Sequence, residues 1–126
     1  MRGSRKDRPC PEEYTGPPRV LHDDLQPDHI IITPSSGRLA GIIDWGLGLG
    51  DPAQDLTFIL PWRGWDFTTA LLGFYSLPLD DDFLERLGFL CRVRALGSLG
   101  HAILGRHSIR DSLDGVENAF AGGSSS

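Results

Sequence analysis

The chain has 126 residues, 40% hydrophobic and 23% charged, which suits one globular domain or part of one. Its formal net charge of -5 argues against a nucleic-acid or anionic-membrane partner, because both require clustered positive charge. The two cysteines, Cys10 and Cys91, have no metal-ligand spacing and form no framework, and this points to reduced thiols in the cytoplasm. No apolar run approaches the roughly 20 residues that a membrane helix needs.

Residues 1–18 carry four prolines and few apolar side chains, so they are expected to form a flexible arm. Residues 19–120 are expected to form the folded lobe, and residues 121–126, ending Gly-Gly-Ser-Ser-Ser, a flexible tail. After the apolar entry Val20-Leu21 comes a polar loop, His22 to Asp28. Ile30-Ile31-Ile32 and residues 39–43 follow, separated by Pro34-Ser35-Ser36-Gly37, the pattern of a β-hairpin. Pairing about that turn sets residues whose numbers sum to about 73 opposite each other and brings His29 to Asp44.

Glycines at 46, 48 and 50 permit tight or positive-φ backbone. Asp51-Pro52 reads as a helix cap with proline in the first turn, opening a helix that Pro61 stops. A second helix is expected from residue 65 or 66 to 75. A third, longest one should start at Asp80, Asp81 or Asp82, with Gly88, Gly97 and Gly100 as candidate breaks or close-packing points. A short last helix spans residues 111–119. A hairpin followed by segregated helices is an α+β arrangement.

A carboxylate that takes a proton from a hydroxyl must sit in a loop and be held by its neighbours. Asp24 meets this, with His22 two residues earlier to orient it. A divalent cation on phosphates needs a second carboxylate and another polar ligand, which Asp44 and His29 supply at the open end of the hairpin. Residue types and spacing alone thus point to a metal-assisted acid–base site. His101 and His107, six apart, do not share a helix face and read as surface residues.

Three segments carry a family resemblance: His22-Asp23-Asp24-Leu25-Gln26-Pro27-Asp28-His29, Ile42-Ile43-Asp44-Trp45-Gly46 and Gly50-Asp51-Pro52-Ala53-Gln54-Asp55-Leu56. Together they resemble the catalytic loop, metal-binding strand end and following segment of the aminoglycoside phosphotransferases, relatives of the protein kinases. The resemblance implies a kinase-like C-terminal lobe, with the catalytic-loop hairpin packed on a mainly helical subdomain. It implies that Asp24 is the catalytic base, that Asp44 holds magnesium on ATP or GTP, and that His29 stands where most members have a metal-binding asparagine. Asp55 matches an aspartate that braces the catalytic loop, and Asp23 stands where glycine is common.

In that family an N-terminal lobe supplies a lysine and a cover for the phosphates. Only about 20 residues precede the loop here, and Lys6 is the sole lysine, so that lobe is expected to be absent or supplied separately. The glycine run lacks the Gly-Lys-Ser/Thr of a phosphate-binding loop.

The implied partner is a small-molecule hydroxyl acceptor, and an acidic surface suits a cationic one; Asp80 to Asp82 are candidates to meet its amines. The alternative is a non-catalytic remnant or binding module that keeps the fold. A metal-dependent phosphohydrolase built on His22-Asp23 is disfavoured, because no further histidine lies upstream.

Overall fold

A computed structural model describes residues 10–105 and 109–121, and among them are two short antiparallel ladders, two 3₁₀ segments and three α-helices. The first nine residues of the expected arm, His107 and the expected tail beyond Ala121 lie outside the described residues. Residues 10–18 have no regular secondary structure, although the Tyr14 ring lies 4.9 Å from the Arg86 guanidinium.

Strand β1 (Arg19–Leu21) leads into the polar loop and a 3₁₀ turn, Pro27–His29. The hairpin of β2 (Ile30–Ile32) and β3 (Leu39–Ile42) follows. Its register pairs Ile30 with Ile42 and Ile31 with Gly41, one residue tighter than expected, and it slips at a bulge between Ile31 and Ile32. Ile31, Ile32 and Leu39 stay exposed.

The glycine run forms β4 (Gly48–Gly50), which pairs antiparallel with β1, Val20 opposite Leu49. This second ladder is not evident from the sequence pattern. None of Gly46, Gly48 and Gly50 has positive φ; around them it is the non-glycine residues Asp23, Asp44 and Leu47 that do. The glycines serve closeness instead, since a Cβ on Gly46 would lie 3.2 Å from the His22 carbonyl oxygen.

Asp51 caps a 3₁₀ helix, Pro52–Leu56, by accepting from the Ala53 amide at 3.0 Å. Helix α1 (Ile59–Leu72) corrects the reading of Pro61. That proline is the third helical residue, where an N–H would have no intrahelical acceptor, so it does not end the helix. The break lies at Gly64, with φ 82° and ψ 176°. Around the kink the Asn118 side-chain amide donates to Pro61 O at 2.6 Å, and the buried Thr68 hydroxyl donates to Gly64 O at 2.8 Å.

Helix α2 (Phe83–Ile103) runs unbroken through Gly88, Gly97 and Gly100. Gly88 lets Trp65 pack close, since a Cβ there would meet the indole at 3.4 Å. Helix α3 (Ile109–Phe120) packs across α1 and α2. The core joins Ala53, Leu60, Phe83, Leu87, Cys91, Ala95 and Ala119, with residues 87, 91 and 95 one helical stripe. Burial pushes the Cys91 thiol up to about 12, which leaves it an inert packing group; Cys10 is exposed and unbridged. No helix among the described residues is long and apolar enough to cross a membrane.

An ionic cluster that no local sequence pattern marks joins buried Arg86 and Asp51 to the exposed Asp80. Arg86, on the first turn of α2, donates to Asp51 through Nε at 2.6 Å and Nη2 at 2.9 Å. It also donates to Asp80 through Nη1 at 2.7 Å and Nη2 at 3.0 Å. The cluster ties the segment after β4 to the start of α2.

Candidate functional site

The polar loop after β1 is held by backbone contacts before any side chain does chemistry. Leu21 is buried, and the His22 carbonyl oxygen accepts from the amides of Gly46 and Leu47 at 2.8 and 3.1 Å. Asp23 then turns with φ 71°, the left-handed region that glycine enters without strain. The Asp55 carboxylate accepts from both loop amides, His22 N to Oδ2 and Asp23 N to Oδ1, each at 2.9 Å. One side chain from the 3₁₀ helix thus satisfies two consecutive donors of the loop.

His22 is 3% exposed, and its hydrogen bonds define its tautomer. Nδ1 accepts from the Asp24 amide at 3.2 Å, so Nε2 carries the proton and donates to Ile43 O at 2.7 Å. The ring therefore holds the backbone of Asp24 rather than its carboxylate, and it links the loop to the end of β3. Trp45 packs against it at 4.6 Å.

The Asp24 carboxylate is partly open to solvent, with its side chain 41% exposed. Its Oδ1 accepts from the Gln26 side-chain Nε2 at 2.6 Å, a partner that no sequence pattern marks. His29 Nδ1 donates to the Asp24 carbonyl oxygen at 2.7 Å and lies 3.7 Å from Asp24 Oδ2. With Nδ1 protonated, the neutral ring presents a lone pair at Nε2, and this atom sits 3.5 Å from Asp44 Oδ2. The structure thus brings Asp24, His29 and Asp44 together, with His22 and Asp55 behind them. The one-residue change of register sets His29 opposite Ile43, whose amide donates to His29 O at 2.9 Å, and Asp44 follows at the strand end with φ 55°.

Asp44 and His29 Nε2 are close enough to reach one cation. Among the described residues, no three His, Cys, Asp or Glu side chains converge as a closed metal cage. Of these two donors the Asp44 carboxylate suits a hard cation such as magnesium, which is bound through one or two carboxylates plus phosphate oxygens, whereas the His29 imidazole nitrogen is a softer ligand.

A cleft of about 1440 Å³ opens beside Asp24. Phe58 and Trp62 form part of its wall, and Asp28, Asp114 and Glu117 line it with Arg94. The carboxylates contributed by α3 are far in sequence from the loop, and no local pattern marks them as lining residues. Asp80, Asp81 and Asp82 do not line this cleft; Asp80 is bound to Arg86.

The close crossing of the loop gives a direct test. Gly46→Ala forces a methyl group against a carbonyl that two hydrogen bonds hold still, so it is expected to destabilise the chain by about 1–3 kcal/mol. Urea unfolding followed by tryptophan fluorescence measures this, and an unchanged midpoint would show that the crossing is slack.

A model of the phosphotransferase enzyme family matches residues 5–90. The chain is 27% identical over 86 residues to acyl-CoA dehydrogenase family member 11 of Gallus gallus, covering 63% of this chain and 11% of that protein. The structure of the GDP complex of wild-type aminoglycoside 2'-phosphotransferase-IIIa is similar with a TM-score of 0.59 and 26% identity, covering 81% of this chain and 36% of that one. The chain therefore spans only part of the length of either protein. With the α+β architecture, the loop and the family match over more than half of its residues, this chain belongs to the phosphotransferase enzyme family.

Proposed function

We propose that this chain carries the acid–base and metal–nucleotide side of a small-molecule O-phosphotransferase, which moves the γ-phosphate of ATP or GTP to a hydroxyl. The observation that carries the reading is the bridge made by His29, which donates to the Asp24 carbonyl on one side and faces Asp44 on the other. In this reading Asp24 takes the acceptor's proton. Asp44 and His29 hold magnesium, which when bound offsets the charge of the phosphates. His22 and Asp55 position the loop. The folded lobe is residues 19–120, working in the cytoplasm.

The acceptor sits in the cleft beside Asp24, where Asp28, Asp114 and Glu117 favour a hydroxyl compound that also carries positive charge. Phosphoryl transfer rests chiefly on positioning and charge stabilisation, so a lysine and a cover for the phosphates are also needed. Lys6, the sole lysine, lies outside the described residues. An N-terminal lobe, in the same polypeptide or a separate one, is the partner that would supply them.

Calorimetric titration with magnesium and ATP, then GTP, tests the metal–phosphate site. Binding is expected to need magnesium, to vanish on chelation and to weaken at least tenfold in Asp44→Ala. A folded chain that binds neither nucleotide, or binds them equally well without Asp44, would instead be a fold-only binding module.

A further inference from the structure

A second cavity, of about 300 Å³, lies between β1, the 3₁₀ helix Pro52–Leu56 and the end of α1. Its walls are almost wholly apolar, with Leu21, Leu56, Leu72 and Phe83 among them, and only two charged side chains line it. One is Asp55, whose two oxygens are already taken by the amides of His22 and Asp23. The other is Arg19. Its Nη2 donates to Pro78 O at 3.1 Å, while its Nε is buried and finds no acceptor among the described residues.

An apolar cavity with a single cation on its wall calls for a particular ligand. We propose that this cavity binds a small amphiphilic monocarboxylate, with its carboxylate on Arg19 and its alkyl or aryl tail among the leucines. Charge selects the head group: a neutral alcohol leaves the guanidinium without its counter-ion, and an amine repels it. Size selects a small molecule, because the volume lies at the lower end of ligand pockets. Phe74 lines the same cavity and is 88% exposed, so a bound tail also has an apolar side chain to cover. Because Asp55 both lines the cavity and holds the catalytic loop, a ligand here adjoins the group that sets the position of His22 and Asp23.

The test is a titration of the ¹⁵N-labelled chain with sodium octanoate below its micelle concentration, with 1-octanol as the neutral control. Saturable shifts are expected at the Arg19 side chain and at the amides of His22 and Asp23, with octanoate bound at least tenfold more tightly than 1-octanol. Arg19→Gln should abolish that preference, and Leu72→Trp, by filling the cavity, should abolish binding of both. Where Leu72→Trp does not fold, the comparison of the two ligands on wild type and Arg19→Gln decides the matter alone. Absence of saturable binding, a preference that survives Arg19→Gln, or shifts confined to the cleft beside Asp24 would overturn the proposal.

Discussion

Replacing Arg86 by alanine is expected to cost the chain about 3–5 kcal/mol, because it leaves a buried carboxylate without its cation. Arg86 is 4% exposed and Asp51 9% exposed, so water cannot take over the lost interaction. Asp51 has a second task, capping the 3₁₀ helix through Ala53 N, and the loss therefore spreads to the segment that carries Asp55. Against the roughly 5–15 kcal/mol that holds a typical domain folded, this is a large share. Urea unfolding measures it directly, and a loss below about 1 kcal/mol would mean that the cluster contributes little.

The same cluster has a signature in acid. The hydrogen bonds from Arg86 hold the Asp80 carboxyl below its usual value near 3.8. A carboxyl lowered in the folded state stabilises the protein above its unfolded value, and that contribution is lost as pH falls through the lowered one. The stability gap between wild type and Arg86→Ala should thus be widest above about pH 4 and narrow below it. A gap that does not change between pH 6 and pH 2 would show that Asp80 is not tied to Arg86 in solution.

With the N-terminal lobe supplied, Asp24→Asn is expected to lower phosphoryl transfer by about 10²–10⁴-fold, the range for losing a general base, while nucleotide affinity stays within about twofold. The substitution keeps the shape of the side chain and an oxygen for Gln26, so the loop has no reason to move. The contrast with Asp44→Ala is the informative part: one variant should lose turnover and keep nucleotide, and the other should lose both. Steady-state transfer from magnesium–ATP or magnesium–GTP to amino-bearing alcohols, read beside calorimetry, separates them. An Asp24→Asn chain as active as wild type would remove Asp24 from the base role. A wild-type chain that binds nucleotide yet transfers nothing would locate the missing function in the phosphate cover.

Much of the site is legible locally. The turn Pro34-Ser35-Ser36-Gly37 and its flanking isoleucines specify a hairpin, and a hairpin brings His29 to Asp44 whether the register sum is 73 or 72. The cap at Asp51 and the helices that became α2 and α3 follow from short-range patterning, and the three motifs mark the loop itself. The stop assigned to Pro61 failed for a positional reason. Proline breaks a helix only where its N–H would be used, and here it falls in the first turn, while Gly64 carries the kink.

By itself, then, the sequence determined which residues could do chemistry, the hairpin that gathers them and the family to which they point. Only the tertiary structure decided the rest. It paired β1 with β4, buried Arg86 between Asp51 and Asp80, and set the Asp55 carboxylate on the amides of His22 and Asp23. It also brought the carboxylates of α3 to the cleft beside Asp24. The division has one physical cause. Turns, caps and periodicity are set by residues within a few positions of each other, whereas these contacts join segments far apart in the chain. They form only when burial of the common core brings those segments together.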